Sequence, residues 1–291
     1  MSSAYTTLTT FFHTHRTTAA QISILPSSSP SILISTPHLG IPKQCLISAF
    51  THARTVFSSA DDDPTTLLDA TTILILAASE HLTAVNTRKR LLLSSHHSPS
   101  EELVLLESFL TSPLPCHNKS PLLWAHRKWV VATFALEPGL CQELEVVQKS
   151  ADVHPRNYYA WDYARRAVIA RGEVVGEETV EMHLRFCWRH AADVGVWMFL
   201  GFLLERVRDG VVVERVLEEV MRFCDVAPGH EGLWCFVRTF IGKLMEPEAR
   251  GRLVGMLEGW VGEEVVGEER EREKRLEERA LRWIKRFGIK E

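Results

Sequence analysis

The chain is 291 residues long, 45% hydrophobic, with a net charge of −4 and a pI near 6.4. That is enough chain for a sizeable core, and the lack of a basic field argues against nucleic acid as the main ligand. Six cysteines with no close pair argue against a disulfide framework and for a reducing, cytoplasmic setting.

Residues 1–42 form the first zone. They hold no acid among the first 60 residues and are punctuated by Ser, Thr and Pro, as in "ILPSSSPSILISTPHLGIP". A transit peptide would need more arginines than Arg16 and Arg54 supply. The zone reads as an arm of irregular structure, or a short apolar segment docked on the body.

Residues 43–260 form the second zone, and its pattern is helical throughout. "DDDP" at 61–64 reads as a cap and dipole start for the helix carrying Leu67, Leu68 and Ile75. It lacks the second acidic cluster of a diphosphate–metal site. Leu140, Leu144 and Val147 recur at i, i+4 and i+7, and Val213, Leu217, Met221 and Cys224 share a face. Strand alternation and hairpin turns are absent. Breaks such as "LPCHNKSP", "VHPRN" and "APGHEG" divide the zone into helical hairpins. Apolar runs such as "VWMFLGFLL" are too short to span a bilayer. "HEGLW" at 230–234 lacks the second histidine of a zinc-protease helix.

The hairpins repeat. Aligning "HLTAVNTRKRLL", "SPLLWAHRKWVV", "NYYAWDYARRAV", "DVGVWMFLGFLL" and "HEGLWCFVRTFI" gives the column Val85, Trp124, Trp161, Trp197, Trp234, at spacings of 39, 37, 36 and 37. The expected architecture is all-α: a curved solenoid of about five helical hairpins, tetratricopeptide-like, each hairpin burying its apolar face on the next. The tryptophans are predicted core plates. Ser120 (before Pro121), Asn157 and Asp193 are predicted N-caps. A peptide-binding array of the 34-residue class does not fit the period.

Residues 261–291 form the third zone, with nine acids and nine Lys/Arg in 262–291. Leu276, Ala280, Ile284 and Phe287 make a stripe, so 268–287 is predicted to be a polar-backed capping helix.

The Trp-x-x-Arg and Pro-x-Asn-Tyr-x-x-Trp patterns at this period resemble the protein prenyltransferase alpha-subunit repeat. Residues 118–168 look like two successive repeats, and the chain is similar to the small prenyltransferase alpha subunit repeat-containing proteins. The resemblance implies a helical subunit that wraps a β subunit, with zinc held by the β subunit and no cofactor held by this chain. It implies transfer of a farnesyl or geranylgeranyl group from a prenyl diphosphate to a protein cysteine at the shared interface. The family lysine five residues before the repeat tryptophan matches Lys119, and Arg156 holds the same place in the next repeat. The family Asn-Tyr pair matches Asn157 and Tyr158, followed by Tyr159 where farnesyl-type subunits commonly have histidine. The resemblance thus names Lys119 and Tyr158 as catalytic, and Arg156, Asn157 and Tyr159 as substrate-binding. A cation facing a diphosphate stabilises charge as the leaving group departs. Arg88 and Arg127, three residues after their anchors, are expected to be structural, and His126 a surface or packing residue. Ala164, Leu200 and Val237 replace that arginine in later repeats. The alternative implied by those losses is a non-catalytic helical-repeat scaffold or adaptor.

Overall fold

A computed structural model describes residues 3–59, 63–136, 138–172, 174–226, 229–243, 247–263 and 267–287. It divides into two compact units, Met1–Ala167 and Val168–Glu291.

The first unit opens with structure where the sequence suggests an irregular arm. Helix α1 (Ser3–Thr14) is followed by strands β1 (Gln21–Leu25), β2 (Leu33–Ser35) and β3 (His38–Pro42). They form one sheet in the order β1-β3-β2, parallel between β1 and β3 and antiparallel between β2 and β3. Ile22, Leu39 and Ile41 turn inward with Leu8 and Phe11 of α1, all of them buried. The strands are three to five residues long, and the central strand β3 is the last in sequence. The pairing that stabilises them is therefore not a local signal.

Helices α2 (Lys43–Ser59) and α3 (Pro64–Ala77) lead into the repeats. Asp63 caps α3, its carboxylate accepting the Thr66 N–H at 2.9 Å. Then come α4 (Leu82–Leu93), α5 (Pro99–Leu110), the single turn α6 (Pro115–Asn118), α7 (Pro121–Thr133), α8 (Leu140–Val153) and α9 (Tyr158–Arg171). Ser120 caps α7 through the Leu123 N–H at 3.0 Å, with Pro121 at the first helical position. The anchors Val85, Trp124 and Trp161 are 0%, 3% and 2% exposed, which makes them core as the spacing predicts.

The second unit holds α10 (Glu177–Arg189), α11 (Val194–Leu204), α12 (Gly210–Val226), α13 (Glu231–Lys243), α14 (Pro247–Gly262) and α15 (Glu268–Phe287). Asp193 caps α11 by accepting the Gly195 N–H at 2.8 Å. Trp197 is fully buried against Trp188, Phe223 and Phe236. α15 packs on α13 and α14. Its Glu273 accepts the Trp234 indole N–H at 2.6 Å and also the Gly229 N–H, so the capping helix is keyed by polar bonds as well as by its stripe. Leu276, Ala280 and Ile284 are buried, but Phe287 is 52% exposed at the end of the helix, against the ring of Trp283.

The chain is all-α in its main body, a set of helical hairpins carrying a small sheet. No helix among the described residues is long and apolar enough to cross a membrane.

Candidate functional site

The predicted site residues fall around one buried polar bridge in the first unit. Asn118 ends α6, and Asn157 precedes α9 in the next repeat. The Asn157 side-chain amide donates to the Asn118 carbonyl (3.0 Å), the Asn118 Oδ1 (2.7 Å) and the Ser150 hydroxyl (3.1 Å). Its Oδ1 accepts the Ala160 N–H at 3.3 Å, the predicted cap. The Asn118 amide donates to the carbonyls of Leu110 (2.8 Å) and Ser150 (3.1 Å). The Trp124 indole donates to the Asn118 carbonyl at 2.8 Å. Asn118 and Asn157 are 0% and 1% exposed, so their polar atoms are committed inside the fold. Trp197 makes the same indole bond to the carbonyl six residues upstream, at Ala191 (2.8 Å), whereas the Trp234 indole goes to Glu273.

The other candidates adjoin this bridge in sequence. Lys119 follows Asn118 and Arg156 precedes Asn157; both are exposed. Tyr158 and Tyr159 open α9 at 72% and 46% exposure. Arg156 has φ +60°, the left-handed region that L side chains rarely adopt. Beside Lys119, the Ser120 hydroxyl bonds to the Glu80 carboxylate, which places an acid next to this cationic surface. Lys119, Arg156, Tyr158 and Tyr159 are thus exposed residues next in sequence to the bridge, while Asn157 is buried within it.

The same unit holds two buried charge networks. Arg88 Nε contacts both Glu102 oxygens at 2.9 and 3.0 Å, and its NH2 contacts Oε2 at 2.5 Å. Its NH1 donates to the Leu68 carbonyl and to the hydroxyls of Thr71 and Thr72. Glu102 also faces His97 Nε2 at 2.9 Å and His126 Nε2 at 2.7 Å. His126 is thus fully buried on a carboxylate rather than at the surface. Burial alone would push the Glu102 carboxyl up; Arg88, His126 and His97 override it and hold it well below the usual carboxylate range.

In the next repeat Arg127 reaches Glu143 with Nε at 3.1 Å and NH2 at 2.6 Å, and NH1 donates to the Leu103 carbonyl at 3.1 Å. The Tyr163 hydroxyl donates to the same carboxylate. Burial works against the Arg127 charge, but Glu143 and Tyr163 raise its pKa on balance. Burial lifts the Tyr163 phenol, and Glu143 adds to this against the pull of Arg127. Both arginines act structurally, clamping the anchor helix to the helix that follows it.

The acidic partners are visible as columns once they are known. Glu102 and Glu143 each precede a leucine near the start of the helix after the anchor. In the second unit the columns turn apolar together. Leu200 stands at the arginine column with Val216 nineteen residues after Trp197, and Val237 stands there with Leu253 nineteen after Trp234; all four are buried. A buried ion pair replaced at both ends by apolar side chains leaves no uncompensated charge.

Residues 123–226 match the family model described as the ECM9 middle domain. The chain is 31% identical over 113 residues to geranylgeranyl transferase type-2 subunit alpha of Bos taurus, covering 38% of this chain and 20% of the relative. The proteins of the same name from Sus scrofa and Homo sapiens are 30% identical over the same length and shares. The match spans about a fifth of the length of these curated relatives. It is a distant similarity to prenyltransferase-alpha-like helical proteins, and the helical hairpins agree with it.

Proposed function

We propose that this chain is an alpha-type helical subunit that pairs with a β-type prenyltransferase subunit through the face bearing Lys119, Arg156, Tyr158 and Tyr159. The observation that carries this reading is that two exposed cations and two exposed tyrosines adjoin the two ends of a buried Asn118–Asn157 bridge between successive repeats. Tyrosine and arginine are the side chains most favoured at the centres of interfaces. In this reading Lys119 and Arg156 face the diphosphate of a prenyl donor. Asn157, with its amide filled, positions Arg156 and Tyr158 rather than touching substrate. Zinc and most of the lipid pocket belong to the partner, the acceptor is a protein cysteine, and the setting is cytoplasmic.

The test is co-purification with a β-type subunit, followed by prenyl transfer to a cysteine-bearing protein. The single chain is expected to be inert. In the complex, Lys119→Ala should lower kcat at least ten-fold while leaving assembly intact. Equal losses in both would make the lysine an interface residue, and detectable transfer by the single chain would refute the reading.

The second reading, a scaffold that has lost the chemistry, is favoured by one observation. The Arg/Glu clamp is present only in the first two repeats, and its columns are apolar at Leu200 and Val237. A complex that assembles but is indifferent to Lys119→Ala supports it.

A further inference from the structure

A second feature of the first unit lies away from that face. Between α1, α3, α4 and α5 lies a cavity of about 540 Å³ that is open to solvent on one side, and none of Lys119, Arg156 or Tyr158 lines it. Its volume falls within the range of small-molecule pockets, about 300–1,000 Å³. Phe12, Leu68, Leu92, Leu105 and Phe134 give it an apolar wall. We propose that this cavity binds a small organic acid, its anionic group held at the rim by Arg16 and its apolar body against Phe12 and Leu105.

The rim is built for that role. Arg16 NH2 is paired with His13 Nδ1. A guanidinium cannot accept, so Nδ1 is the acceptor and the imidazole proton sits on Nε2. Nε2 then donates to Asp69 Oδ1 at 2.6 Å. The Asp69–His13–Arg16 chain fixes the guanidinium from behind, as outer hydrogen bonds fix a metal ligand. The far side of Arg16 is underused. Its NH1 stands 3.8 Å from Glu101 Oε2, and His97 Nδ1 stands 3.8 Å from the same oxygen. Neither separation is a hydrogen bond. An acid group entering beside Arg16 can make the short charge-assisted bonds to the guanidinium that Glu101 does not make, while Glu101, on the first turn of α5, swings to water.

The remaining charges decide the sign. Asp69 and Glu101 oppose an anion, but each already faces a basic side chain, so a cationic ligand would have to displace Arg16, His13 or His97. Arg88 also lines the cavity, with its charge matched by Glu102 and its donors spent. Of the two arginines that line the cavity, Arg16 is the one whose NH1 makes no short bond among the described residues.

The full-length chain is titrated calorimetrically with phenyl phosphate, phenylacetate, inorganic phosphate and benzyl alcohol. At least one aryl acid should bind ten-fold or more tightly than inorganic phosphate and benzyl alcohol; which acid binds better identifies the head group. Arg16→Gln, at an exposed position, should leave the thermal midpoint unchanged and lower aryl-acid affinity at least ten-fold. Leu105→Trp, which fills the cavity, should abolish binding of the same acid. Binding of benzyl alcohol as tight as that of the acids, no binding of either acid, or an Arg16→Gln protein with undiminished affinity would overturn the proposal.

Discussion

Asn157 donates its side-chain amide to both the main-chain and the side-chain oxygen of Asn118, at 3.0 and 2.7 Å, across thirty-nine residues of sequence. This pairing joins two successive repeats and sets the stage for every exposed candidate residue. Removing it leaves buried polar atoms without partners, a change that costs about 1–3 kcal/mol per orphaned group. Asn157→Ala also removes the cap of α9, for about 1 kcal/mol more. Urea denaturation of Asn157→Ala should therefore show a loss of about 2–4 kcal/mol. A loss below about 0.5 kcal/mol would assign the bridge no structural weight.

Arg156 offers a cleaner probe of the surface. Its left-handed backbone, φ +60°, costs an L-residue about 1–2 kcal/mol relative to glycine. Arg156→Gly should therefore hold or raise stability, by up to about 1 kcal/mol. Any loss of partner or substrate binding in that variant then reports the side chain alone. Measured destabilisation would show that the arginine side chain supports the fold.

Acid sensitivity should track Glu102. Its folded-state pKa lies well below the ordinary carboxylate value, so between the two values the unfolded chain binds more protons. The stabilisation is complete above about pH 4.3 and is lost as pH falls through the folded-state pKa. Stability curves below pH 4.3 should be flatter for Glu102→Gln than for the parent. Parallel curves would place the acid sensitivity elsewhere.

The companion change, Arg88→Ala, leaves Glu102 buried beside only two imidazoles. Loss of one partner of a buried pair costs about 3–5 kcal/mol. Chemical denaturation of Arg88→Ala should show a loss in that range, whereas Arg88→Met with Glu102→Leu should recover only part of it, because the buried His126 then loses the carboxylate that partners its Nε2.

In the second unit the close approach of α11 and α13 depends on Gly201. A methyl group there would sit inside the ring of Phe240. Overpacking of this kind costs about 1–3 kcal/mol. Gly201→Ala should lower the thermal midpoint by several degrees, and pairing it with Phe240→Leu should restore part of the loss. An unchanged midpoint for the single variant would mean that the helices can part without penalty.

The helical hairpins, their period and the anchors Trp124, Trp161, Trp197 and Trp234 were legible in the sequence, because a 3.6-residue apolar period and one large plate per repeat are local, repeated signals. The caps at Asp63, Ser120, Asn157 and Asp193 were legible too, since cap chemistry acts within three residues. The sheet of β1, β2 and β3 was not, because each short strand is stabilised by a partner that the local pattern does not name. Nor was the pairing of Arg88 with Glu102, of Arg127 with Glu143, or of Asn118 with Asn157. A side chain's type announces its charge or its hydrogen-bonding groups, but its partner is chosen by packing between helices. The sequence by itself determined which segments of the repeat body are helical, which anchors face inward and where the repeats begin, but not the helix α1 ahead of them. Only the tertiary structure decided which asparagine is buried, which tyrosines are left exposed, and where a cavity forms, because each of those depends on contacts between segments far apart in the chain.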